Sequence, residues 1–107
     1  MTPEMLKGHL DPLILAAVEG GATHGYAIIE EIRRRTGGAF DLPEGTIYPA
    51  LHRLEGAGQL RSEWSTASGT RKRRVYALTS DGTASLGARK LLWRRFSEAI
   101  DSALGQT

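Results

Sequence analysis

The chain contains no cysteine, so it has no disulfide bond and no cysteine-based metal or redox site. This fits a reducing cytoplasm, which is where we expect the protein to act. No apolar run approaches the roughly 20 residues that a membrane-spanning helix needs, since the run that begins at Leu13 is interrupted by Glu19. The first residues are not a charged leader, and we expect neither a signal peptide nor a membrane partner.

The residue sets that enzymes use are also missing. His9, His24 and His52 are scattered, with no carboxylate at ligand spacing, and no nucleophile with its base, phosphate loop or pair of acids stands out. We therefore predict a protein that is not an enzyme and carries no cofactor. A metal-responsive regulator that uses these histidines is an alternative, although a histidine such as His24 more often lies between helices as a hydrogen-bonded core residue.

Charge is unevenly distributed along the 107 residues, a length that suits one small domain. Residues 1–66 carry six Lys/Arg and nine Asp/Glu, whereas residues 67–107 carry eight Lys/Arg and three Asp/Glu. The net charge of +2 therefore hides a local basic excess. A local basic patch indicates a polyanionic partner.

Residues 45–54 have the pattern of a short amphipathic helix. One apolar stripe is formed by Ile47, Ala50, Leu51 and Leu54. The other side and its flanks carry Gly45, Tyr48, Pro49, His52, Arg53 and Gly56. A short helix with one core face and one face of aromatic and basic groups suits the major groove of DNA. An ordinary amphipathic surface helix shows the same pattern, and this stretch alone does not separate the two.

Two helices are predicted before this one. Asp11 is the predicted N-cap of the first, with a start a few residues earlier as the alternative. Its apolar residues lie on more than one side and indicate a central helix. Thr23 is the predicted cap of the second, which runs from about residue 24 to 36 with Ile28, Ile29 and Ile32 inward. The three arginines of its last turn, residues 33–35, favour a solvated end over a DNA contact.

Two short strands follow. Alternation predicts that Leu60, Trp64, Tyr76 and Leu78 share one face over the core. Residues 67–70 are small and polar and form the predicted turn. The run Arg71-Lys72-Arg73-Arg74 comes next, and four consecutive cations repel one another unless an anion is near.

The last helix is predicted to begin at Thr79 or Ser80. Its apolar residues form a short heptad-like seam of Leu86, Trp93, Phe96, Ile100 and Ala103. Because a small domain offers little for such a helix to cover, the seam indicates a dimer interface. The alternative is a helix folded back on the first helix of its own chain.

This order of elements predicts a mainly α fold with a β-hairpin (α+β), a winged helix-turn-helix with a C-terminal dimerisation helix. Residues 1–79 form the DNA-binding part and residues 80–107 the dimerisation helix of one compact unit. The third helix is expected in the major groove, with Arg53 as the first candidate to read guanine and His52 as the second. Arg71, Lys72, Arg73 and Arg74 are expected on phosphates. A winged-helix module that binds protein rather than DNA is the alternative.

Four motifs resemble the PadR family of bacterial transcriptional regulators: His24-Gly25-Tyr26, the stretch 45–54, Arg74-Val75-Tyr76, and Leu78-Thr79 with Gly82. The resemblance covers roughly residues 10–100, and the stretch 45–54 is its specific part. It implies a homodimeric repressor that leaves its double-stranded operator when an effector binds. Residues at matching motif positions near DNA are Tyr26, Thr46, Tyr48, Pro49 and Arg53, with Lys72 and Arg73 in the wing.

The single short C-terminal helix resembles that of the smaller subgroup of the family. Some members of that subgroup bind flat aromatic compounds beside a tryptophan of the last helix, and the resemblance places Trp93, with Phe96, at such an effector site. The alternative is that Trp93 only fills the dimer core. One departure is Pro43-Glu44, where many relatives have Ser-Pro; the acid argues against a phosphate at that helix N-terminus.

Overall fold

The structure is a computed structural model that describes residue 6, residues 8–66 and residues 72–105. Its elements follow the predicted order of three helices, two strands and a helix. They are α1 (Leu10–Glu19), α2 (Gly25–Arg35), α3 (Glu44–Gly56), β1 (Leu60–Ser65), β2 (Arg73–Leu78) and α4 (Ser80–Leu104). The predicted fold class, a winged helix-turn-helix followed by a C-terminal helix, is confirmed.

Helix α1 lies at the centre of the molecule. It packs against α2, α3, α4 and β2, and its Ile14, Leu15 and Ala17 are fully buried. The surrounding elements contribute Ile28, Ile32, Ile47, Leu51, Leu54, Leu60 and Leu86 as further buried side chains. Apolar residues on two sides of α1 thus meet apolar stripes from every neighbour, as the sequence predicted for a central helix.

Two of the predicted helix caps were wrong. Helix α1 begins one residue before Asp11, so the Asp11 carboxylate lies in the first turn and is free for another role. Helix α2 is capped by His24, whose Nδ1 accepts a hydrogen bond from the Ala27 N–H at 3.3 Å. Thr23 lies one residue before this cap, and its carbonyl accepts from the Tyr76 N–H of the hairpin at 2.7 Å.

Helix α3 has the two faces that its sequence predicts. Ile47, Ala50, Leu51 and Leu54 are buried, whereas the opposite side is exposed. Pro49 lies inside this helix and has no N–H, so the Gly45 carbonyl has no intrahelical donor. The chain leaves α3 through Gly58, whose φ of +78° belongs to the left-handed region that favours glycine.

The hairpin formed by β1 and β2 pairs Leu60 with Leu78 and Trp64 with Arg74 in an antiparallel register. Leu60 and Tyr76 are buried, but Trp64 is 62% exposed, so its predicted place over the core was wrong. The register explains this, because Trp64 lies two pairs further toward the turn than the last buried position. Its ring instead lies 5.1 Å from the Arg74 guanidinium carbon. The predicted turn, 67–70, and Arg71 lie outside the described residues.

Helix α4 starts inside the fold and then leaves it. Thr79 Oγ1 accepts from the Gly82 N–H at 3.0 Å, which confirms Thr79 as its cap. Leu86 is only 2% exposed and belongs to the chain's own core, so its assignment to the dimer seam was wrong. The first turns of α4 pack on α1, and the exposed apolar face begins only after them. Among the helices of the described ranges, none has the length and apolar character needed to cross a bilayer.

Replacing either of two glycines of α4 by alanine should change stability in opposite directions. A Cβ on Gly82 would collide with the Gln59 carbonyl oxygen, whereas a Cβ on Gly87 meets nothing within 4 Å. We expect Gly82→Ala to lower the free energy of unfolding by about 1–3 kcal/mol through overpacking. Gly87→Ala, the matched control, should raise it by about 0.5–1 kcal/mol through helix propensity. Urea unfolding at equal protein concentrations measures both, and a neutral Gly82→Ala would contradict the close approach.

Candidate nucleic-acid interface

The two helices of the helix-turn-helix approach each other closely at Gly25 and Tyr48. A Cβ at Gly25 would lie 2.5 Å from the Tyr48 hydroxyl oxygen, so the phenol ring rests where only a glycine leaves room. Tyr26, the next residue of α2, is exposed beside this contact. The structure thereby brings the His-Gly-Tyr motif and the Tyr48 motif together at one surface.

The predicted DNA-binding residues on the outer side of α3 fall into two groups, those without an internal partner and Arg53. Tyr48, Pro49 and His52 are exposed, and Thr46 is half-buried. None of these four side chains has a salt bridge or a side-chain hydrogen bond among the residues that the structure describes. They are therefore available to an external ligand, which distinguishes them from Arg53.

Arg53 is held by Asp11 of helix α1. Its Nη1 donates to Asp11 Oδ2 and its Nη2 donates to Asp11 Oδ1, both at 2.8 Å. The hydrogen bond from Arg53 lowers the pKa of Asp11 against the opposing effect of burial, and the same pair raises the pKa of Arg53. Sequence analysis missed this pair, because no local pattern relates two residues that are 42 positions apart.

The cations of the wing fall into two kinds. Arg74 is tied to α3: its Nε donates to Ser62 Oγ at 2.8 Å, and that hydroxyl donates to Glu55 Oε2 at 2.6 Å. Its Nη2 also lies 3.7 Å from Glu55 Oε2. By contrast, Lys72 and Arg73 are exposed, and neither forms a salt bridge with another residue that the structure describes. Arg74 thus anchors the hairpin, while Lys72 and Arg73 offer unpaired charge.

His24 lies at the start of α2, and the wing affects its charge state. Burial lowers the pKa of His24, and the charge of Arg73 lowers it further. A neutral imidazole is the form that can accept the Ala27 N–H, so the shift favours the cap.

The arginines at the end of α2 are neutralised within their own helix. Arg34 Nη2 and Arg35 Nε lie 2.8 and 2.7 Å from Glu31 Oε2, and Arg33 Nη2 lies 3.3 Å from Glu30 Oε2. Hydrogen bonds from Arg34 and Arg35 lower the pKa of Glu31 to about 2. This arrangement fits the predicted solvated helix end.

A second surface is the apolar groove, which we define as the open cavity of about 900 Å³ between α1 and α4. Trp93 and Phe96 are 53% and 54% exposed along it, with ring centroids 5.7 Å apart. The His9 ring meets the Trp93 ring edge-on at 5.1 Å. The predicted effector residues therefore line one groove, although they are far from buried in a single chain.

The three histidines have separate surroundings. His9 contacts Trp93, His24 caps α2 and His52 lies on the outer side of α3. Within the described ranges, no group of three or more His, Asp or Glu side chains is placed to hold a metal ion.

The sequence matches the profile of the Transcriptional regulator PadR-like family over residues 14–88. It is 34% identical to an uncharacterized protein of Lysinibacillus sphaericus, over 92% of this chain and 90% of that one. It is 40% identical to a transcriptional regulator of Mycobacterium tuberculosis, over 68% of this chain and 64% of that one.

Solved structures agree with this match. The fold is similar to a PadR family transcription regulator from Clostridium difficile, with a TM-score of 0.80, 33% identity and coverage of 91% of this chain and 99% of that one. A PadR-like transcriptional regulator from Bacillus cereus has a TM-score of 0.81 and 27% identity, with coverage of 94% and 96%.

Proposed function

Because the chain belongs to the PadR-like family of transcriptional regulators, which bind DNA, we propose that it is a homodimeric repressor released from its operator by a small molecule. Residues 1–79 serve as the DNA-binding part and residues 80–107 as the dimerisation helix. The observation that carries this proposal is the division of the surface. One side exposes unpaired polar groups and cations, and another exposes an apolar helix face.

The reading surface is the outer side of α3. His52 and Tyr48 are exposed there without side-chain partners in the described part, and Thr46 and Pro49 lie beside them. A helix that enters the major groove contacts base edges with such residues, while neighbouring groups fix its register on phosphates. Tyr26 extends the same surface from α2.

The wing supplies affinity through phosphate contacts. Lys72 and Arg73 are the described wing cations with no internal partner, so each can neutralise a phosphate and release a counterion. Arg74 contributes by holding the hairpin against Glu55, which fixes where the other two cations lie. Arg71 belongs to the same predicted run and stays a predicted phosphate contact.

Neutralising the free wing cations tests the DNA surface. We expect Lys72→Ala/Arg73→Ala to weaken binding by on the order of tenfold on every sequence, because two phosphate contacts are lost. The slope of log affinity against log salt should become shallower by about 2. Fluorescence anisotropy with a labelled duplex from the region upstream of the gene, at several salt concentrations, measures both quantities.

Arg33→Ala/Arg34→Ala is the matched control, since it removes the same charge from residues already paired with Glu30 and Glu31. We expect a much smaller loss of affinity and an unchanged slope. Equal losses in the two double variants would contradict a specific role for the wing. If the unchanged protein and both variants all fail to bind the duplex, a module that recognises protein would instead be supported.

The exposed face of α4 is the proposed dimer interface. Leu92, Trp93, Phe96 and Ile100 recur at helical spacing and are all exposed, as is Ala103 on the same side. Contiguous exposed apolar side chains of this size mark an interaction surface. A second copy can cover them by pairing the two α4 helices, with Leu86 left inside each protomer.

Placing an arginine on either side of α4 tests the dimer. Phe96→Arg places a guanidinium in the apolar face and should shift the protein from dimer to monomer at micromolar concentration, because an unpaired buried charge is costly. Glu98→Arg adds the same side chain on the opposite side and should leave the dimer intact. Sedimentation velocity distinguishes the species, and a dimeric Phe96→Arg would place the interface elsewhere.

The effector site is proposed in the apolar groove, where Trp93 offers a flat surface for an aromatic molecule. A ligand held in this groove, beside the proposed dimer interface on α4, changes the spacing of the two recognition helices, and a dimer fits its half-sites at only one spacing.

A planar aromatic dye provides the test. We expect Trp93→Ala to weaken its affinity by about tenfold and to abolish the release of DNA by the dye, because the stacking surface is lost. Trp64→Ala is the control, since Trp64 is also exposed but lies on the wing. Fluorescence titration of the dye measures the affinity, and an unchanged value in Trp93→Ala would leave Trp93 with the dimer core alone.

A further inference from the structure

We propose that Asp11 is a positioning residue for DNA recognition, which holds Arg53 on α3 and joins that helix to α4 through Arg89. This inference rests on the proposed DNA-facing role of α3. It assigns Arg53 a different role from the guanine reader that the sequence predicted.

The geometry of the carboxylate carries the argument. Both oxygens of Asp11 accept from Arg53 at 2.8 Å, in the parallel arrangement that gives an arginine–carboxylate pair its directional strength. Arg89 Nη2 lies 3.8 Å from Asp11 Oδ2. One acid of α1 is thus shared by a cation of the recognition helix and a cation of α4.

The pair is better defined than an ordinary surface ion pair. The Asp11 side chain is only 16% exposed, whereas Arg53 is 57% exposed and leaves part of its guanidinium facing outward. Asp11 also lies in the first turn of α1, where the helix dipole favours a negative charge. These contacts stabilise the ionised carboxylate and hold the arginine side chain in one orientation.

This orientation affects the reading surface. Arg53 directly follows His52, and both terminal nitrogens of its guanidinium are occupied by Asp11. The edge formed by the two terminal nitrogens, which could pair end-on with guanine, is therefore taken by Asp11, while Nε–H and the second N–H of each terminal nitrogen remain for a neighbouring phosphate. Asp11 therefore fixes the position of Arg53 at the DNA backbone.

The link to α4 extends this role. Arg89 lines the apolar groove together with Pro12 and Leu13, the two residues that follow Asp11. A molecule in that groove contacts Arg89, which interacts with the same carboxylate of Asp11 as Arg53 does. The network therefore gives the groove and the recognition helix a common polar contact.

The direction of the change in DNA affinity distinguishes positioning from simple electrostatics. Removing a negative charge near DNA should by electrostatics alone increase affinity, whereas loss of positioning should decrease it. We expect Asp11→Asn to weaken binding about fivefold, by the same factor on duplexes that differ at single guanines. Asp11→Glu retains the carboxylate and should restore most of the affinity. Anisotropy titrations at a temperature where circular dichroism shows every variant folded give these values.

A double-variant cycle identifies the partner. We expect Asp11→Asn/Arg53→Ala to bind no more weakly than Arg53→Ala alone, because both changes remove the same interaction. An unchanged or raised affinity in Asp11→Asn, or a change of guanine preference confined to Arg53→Ala, would overturn the inference and return Arg53 to base reading. If the wing variant loses affinity in the same assay, the proposed function stands even when this inference fails; if neither loses it, the DNA-facing role itself fails.

Discussion

The burial of α1 on several sides is the constraint on which the rest of this structure depends. Ile14, Leu15 and Ala17 have no exposed surface because α2, α3, α4 and β2 all pack against this one helix. Close-packed interiors do not deform continuously, so a shift of one neighbour is felt by the others. The recognition helix and the C-terminal helix therefore have a common support.

Polar contacts between elements then refine what the core has placed. Asp11 connects α1 to α3 and α4, and Glu55 connects α3 to the wing through Ser62 and Arg74. Each link uses an acid from a helix to hold an arginine that the sequence suggests as a DNA contact. Basic residues in a DNA-binding protein thus divide into those that hold the scaffold and those left for phosphates, and only their partners distinguish the two.

Sequence periodicity was a good guide where local geometry decides the outcome. The buried stripe of α3, the alternation of the hairpin and the cap at Thr79 all follow from spacing within a few residues. It failed where the extent of the core mattered. Trp64 has the right phase to face inward but lies past the helices, and Leu86 has the right phase for a dimer seam but lies on the chain's own α1.

The sequence by itself determined the order of elements, the face that each presents to the core, and the family, because these depend on side-chain spacing and on motifs that are contiguous. Only the tertiary structure decided which cations are free. Arg53 and Arg74 are tied to acids, while Lys72 and Arg73 pair with no acid in the part of the chain that the structure describes. The physical reason is that an ion pair depends on distance in space, and residues 42 positions apart in the chain become neighbours only when the helices pack.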